Sequence, residues 1–130
     1  MITLRHNEAF AYDLLAIAQI KALRNPDNEE ACLICLNLAF EIERQVGREK
    51  HEMIIVSREY LNLYRVNDEI YVRVDEAKVR GEQVGDHRYI DDRVYQRWLA
   101  KRALQKQWFP EELLTEQKMG YEKVLGEKPS

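Results

Sequence analysis

Turn-forming residues are scarce in this chain, with 5 glycines and 3 prolines in 130 residues. Folds built from many short strands need a turn every few residues, so this supply argues against an all-β sandwich or barrel. Cysteine is scarcer still. Cys32 and Cys35 are the only two, and they flank Leu33 and Ile34 in the most apolar part of the chain. They lack the second pair that would complete a zinc site and the strand–helix setting of a redox motif, so they read as packing residues of a buried helix. No apolar stretch approaches the ~20 residues needed to span a bilayer. The longest one free of charge, Ala31 to Phe40, contains Asn37 and suits a helix in a protein core. With no basic start followed by an apolar run, the expected location is the cytoplasm, without membrane contact. Neither sign of charge dominates. The formal net charge of -3 argues against a protein that holds nucleic acid over its whole surface.

Helical periodicity is what the chain has in quantity. Met53, Val56, Tyr60, Leu63, Asn67, Ile70, Val74 and Ala77 fall at alternating three- and four-residue steps, a single seam whose one polar member is Asn67. Ser57, with Glu59 in the turn after it, is a helix start, so the element expected is Ser57 to Val79. A hairpin of Tyr60 to Val66 and Glu69 to Val74 is the alternative, but it has no partner sheet.

Upstream, a first helix is expected from an Asn7 cap to about Leu23, closed by Arg24-Asn25-Pro26-Asp27. Asn28 caps a second helix, with Ala31, Cys35, Leu38, Ile42 and Val46 on one side and Cys32, Leu36, Ala39 and Phe40 widening that side. With more than half its circumference apolar, it is expected to be the most buried element. Gly47 either ends it or is carried through toward Val56. Downstream, Gly81 to Gly85 is a loop and Asp86 caps a helix with Ile90, Val94, Trp98, Leu99, Ala103 and Leu104 inward. Pro110 opens a last short helix, and Gly126 to Ser130 is a frayed tail. The fold expected is all-α: an antiparallel helical bundle of four main helices plus a short C-terminal helix, one domain over residues 1–125.

Chemistry is harder to find. Arg80, six intervening residues, His87, Arg88 and Tyr89 resemble the signature of HEPN-type ribonucleases, small helical dimers in which an arginine and a histidine share a cleft. The resemblance implies a metal-independent ribonuclease with Arg80 stabilising phosphate charge, His87 positioning or protonating the reacting groups, and Tyr89 beside them. Gly81 stands where that pattern has a polar residue, and an acidic glycine-bounded loop stands where it has a helix. No Glu-x-x-His or His-x-x-x-His pairing marks a metal site, and no cofactor is implied. Arg93, Arg97 and Lys101 form a ridge at i, i+4 and i+8, with Tyr95, Trp98 and Trp108 nearby. It is either a phosphate-binding face or a surface paired with the acidic last helix of Glu111, Glu112 and Glu116. Tyr60, Tyr64, Asn67 and Tyr71 are candidates for a partly wet interface. Asn67 either fixes the register of a coiled-coil dimer or is satisfied inside the chain.

The reading favoured is a non-enzymatic interaction or adaptor protein, a homodimer presenting a helical surface to a protein partner. The HEPN-like ribonuclease is the first alternative and a nucleic-acid-binding adaptor the second.

Overall fold

The computed structural model describes residues 8–81 and 87–110, the side chains of 87–90 excepted. Every regular element in it is helical: α1 (Glu8–Arg24), α2 (Glu29–Val46), α3 (Arg48–Ile55), α4 (Arg58–Val79) and α5 (His87–Trp108). The β-forming stretch from Tyr60 to Val74 lies wholly within α4, so the hairpin alternative is overturned. The Asn7 and Asp86 caps, most of the Gly81 to Gly85 loop, the helix after Pro110 and the frayed tail lie outside the described residues.

The helix boundaries follow from local chemistry. Asn28 accepts a hydrogen bond from the Ala31 N–H at 3.0 Å, satisfying a donor that the first turn of α2 leaves open. Gly47 then adopts φ +103°, a conformation nearly reserved for glycine, and this separates α2 from α3. Ser57 Oγ accepts from the Tyr60 N–H at 3.2 Å and donates to the Ile54 carbonyl at 2.6 Å. One hydroxyl thus closes α3 and opens α4. Met53 and Val56 consequently belong to the preceding segment and are exposed.

The core is centred on α1, which contributes Ala9, Tyr12, Leu15 and Ala16. Around it lie Ile42 of α2, Ile54 of α3, Tyr60 and Leu63 of α4, and Ala100 and Leu104 of α5. Ala9 and Ala16 are fully buried, and their small side chains let neighbouring helices approach closely.

Two expectations about orientation are corrected. On α2, Ile42 alone is buried, while Leu33, Leu36 and Phe40 are exposed. The helix is apolar over more than half its circumference, and among the described residues it is the side facing α1 and α3 that is covered. On α5, Ala100, Leu104 and Gln105 are buried, with Arg93, Arg97 and Lys101 on the same half-covered side. Val94, Leu99 and Ala103, expected to face inward, are exposed. The helix is turned this way by a carboxylate waiting in the core.

Candidate functional site

That carboxylate is Asp13, whose side chain is 1% exposed. It sits on the inward face of α1 among alanines and leucines, a position where an ionised group is costly unless paired and hydrogen-bonded. Arg97 of α5 answers it with two contacts, Nη2 at 2.9 Å and Nε at 3.2 Å, while Lys101 Nζ lies 3.9 Å away. Asn67 Nδ2 donates to Asp13 Oδ1 at 2.8 Å and shares its other proton with the Leu63 carbonyl at 3.2 Å. The polar seam residue is therefore satisfied inside the chain, the second of its two readings.

The same network consumes the basic ridge. Arg97 and Lys101 face Asp13, and Arg93 pairs with Glu69 of α4 and with Asp92. Among the described residues these cations are held by acids on α1, α4 and α5; Glu111, Glu112 and Glu116 lie outside the described residues. A phosphate backbone would have to displace them.

The tyrosines divide. Tyr60 is buried and donates its hydroxyl proton to Gln19, so this side chain is enclosed by the chain that carries it. Burial pushes its phenol well above the usual tyrosine range. Tyr71 is half-buried and its hydroxyl accepts from Asn25 Nδ2 at 3.1 Å. Tyr64 is half-buried and lines a groove described below. Of the four proposed interface residues, only Tyr64 and Tyr71 keep surface to offer.

Arg80 caps the C-terminus of α4 and is exposed, and His87 begins α5. The side chains of His87 and Tyr89 lie outside the described residues. His51, which sequence reasoning set aside, is buried against Tyr12, whose hydroxyl is 2.8 Å from Nδ1 with the rings stacked. Burial lowers its pKa, opposed by the charges of Glu43 and Glu52. Cys32 and Cys35 are free and half-buried rather than fully buried, and burial raises the Cys35 thiol. Among the described residues no group of three or more His, Cys, Asp or Glu side chains is arranged to hold a metal ion. No helix among them is long and apolar enough to cross a membrane.

Among the described residues, the outer side of α2 stands out as apolar surface left exposed. Leu33, Leu36 and Phe40 are 57%, 67% and 68% exposed, and at about 100° per residue they form one continuous stripe. Two open grooves flank the helix. One, of about 400 Å³, lies between α1 and α2 and is lined by Leu14, Ile17, Lys21, Ile34 and Leu38. The other, of about 430 Å³, is lined by Leu23, Cys35, Ile55, Leu61 and Tyr64. Leu14, Leu23, Ile34 and Leu61 are also exposed, with the polar line Asn37, Glu30 and Glu41 between the stripe and Ile34. A second and smaller patch lies on the outer side of α5, where Tyr95 stacks on Trp98 at 6.0 Å and the Arg102 guanidinium sits 5.2 Å from the Trp98 ring. The sequence signal for the α2 surface was present: a helix apolar over most of its circumference needs cover on most of its circumference. No family model, curated protein or solved structure matches this chain.

Proposed function

We propose that the protein is a non-enzymatic interaction module that self-associates and presents a helical surface to a protein partner, with the outer stripe of α2 as its contact face. The observation that carries this reading is the exposure of Leu33, Leu36 and Phe40 on a helix whose other side is already packed. Scattered single apolar residues are normal on a surface, whereas a continuous stripe flanked by apolar grooves marks a place where another protein sits. Covering each of these side chains is favourable by ~1–2 kcal/mol. An antiparallel bundle suits this use, since it gives α2 a rigid backing. Its support is that Glu59 meets Trp108 and Glu69 meets Arg93, which sets α4 and α5 in opposite directions.

The test is photo-crosslinking in the cells that make the protein. Benzoylphenylalanine at Phe40 is expected to give discrete protein adducts, and the same group at the exposed Glu49 of α3 is not. Equal, diffuse labelling from both positions, or none from position 40, overturns the reading.

A further inference from the structure

We infer that the outer face of α2 is covered by the same face of a second copy, the two α2 helices running in opposite directions about a two-fold axis between Leu36 and Asn37. The inference rests on the proposed interaction role of this face and names its occupant.

A two-fold contact requires a patch that matches its own inverted image. Glu29, Leu33, Leu36, Asn37, Phe40 and Arg44 occupy one sector of α2, about 100° wide on the helical projection. They are arranged symmetrically about the point between Leu36 and Asn37. Inverting the helix about that point sets Glu29 level with Arg44 of the partner subunit, Leu33 with Phe40, and Leu36 with Asn37. Acid meets base at both ends of a contact roughly 22 Å long, Leu33 and Phe40 meet between them, and the Asn37 amides lie beside Leu36 at the centre.

Other pairings lose this match. Parallel α2 helices would place Glu29 against Glu29 and Arg44 against Arg44. Glu43 comes level with Glu30 in the inverted arrangement, but each stands about 70° from the centre of the face, at its rim, and Glu43 lies 3.9 Å from Arg48. Both charged ends are accessible: Glu29 is exposed, and the Arg44 side chain is 62% exposed although it pairs along its own helix with Glu41. Opposed helices also bring the partially positive N-terminus of one beside the partially negative C-terminus of the other. Lys21 and Glu30, on the rim of the α1–α2 groove, supply the polar edge such a contact needs.

Sedimentation equilibrium on the full chain and its variants tests the arrangement. The wild type is expected at twice the 15.5 kDa chain mass. Glu29→Arg alone and Arg44→Glu alone each place like charges opposite one another twice per dimer, and each is expected to weaken association by roughly tenfold or more. Mixing the two variants restores acid against base at both ends, so the mixture is expected to recover the wild-type mass as a mixed dimer. A wild type at single-chain mass at about 100 µM overturns the inference. If adducts of unrelated mass still form from position 40, the interaction reading stands without it; if no adduct forms there, that reading falls as well. A wild-type dimer indifferent to both charge reversals overturns the antiparallel α2 pairing.

Discussion

Removing the Asp13 carboxylate tests what holds α1, α4 and α5 together. In Asp13→Ala, Arg97 loses a two-point partner, Lys101 loses its nearest acid, and Asn67 keeps only its bond to the Leu63 carbonyl. Breaking a fully buried ion pair from one side costs about 3–5 kcal/mol. Arg97 and Lys101 are 31% and 27% exposed at the side chain, so water takes up part of the orphaned charge and the expected cost is about 2–4 kcal/mol. At this chain length that corresponds to a fall in Tm of ~8–15 °C, read at one fixed protein concentration because association also contributes. Arg97→Met, with a similar stem and no charge, separates the ion pair from simple packing. If Asp13 and Arg97 act as one unit, the double variant is less destabilised than the two single losses added together, by about 1–3 kcal/mol. A Tm for Asp13→Ala within about 2 °C of the wild type, or strict additivity in the cycle, would refute the role given to this network.

His51 predicts a pH dependence. Its folded-state pKa is lowered by burial, beside the Tyr12 hydroxyl and opposed by Glu43 and Glu52. The unfolded chain therefore binds this proton first, and the stability contributed by neutral His51 is complete above the ordinary imidazole value of about 6.5 and is lost as pH falls through the depressed value. Urea midpoints should decline across that window in the wild type, and His51→Phe should flatten the decline while lowering the midpoint at every pH. Ser57→Ala removes both the α4 cap and the bond that closes α3, and should cost about 1–2 kcal/mol in denaturant titrations. Asp68→Ala breaks an exposed pair with Arg24 and should change stability by less than about 1 kcal/mol, a useful contrast with Asp13.

The helix boundaries could be read from the chain because they depend on neighbours in sequence. Asn28, Gly47 and Ser57 act within four residues of themselves, and the structure uses each as local chemistry requires. Which side of a helix faces the core was less accessible. On α5 the charged ridge reads in the sequence as a phosphate-binding face or as a surface paired with the acidic residues after Pro110, and Val94 as interior. A single carboxylate on α1 reverses that order by drawing Arg97 and Lys101 inward. The clue was Asp13 itself, the only charged residue from Ala9 to Ile20. On α2 the periodicity reported correctly that most of the circumference is apolar, but a hydrophobic pattern says that a face is covered and not whether the same chain covers it. Asn67 was left open between a partner and the chain, and its bond to Asp13 gives it to the chain.

Amide hydrogen exchange along α2, compared between the wild type and Phe40→Asp, tests the central claim most directly. Phe40 touches water over most of its surface in the single chain, so the substitution is benign to the fold of one copy and hostile to a covered face. Strong protection of residues 33–44 in the wild type, lost in Phe40→Asp while α1 and α4 keep theirs, is the result expected of a helix sealed by a second copy. Equal protection of α2 in both proteins would contradict it.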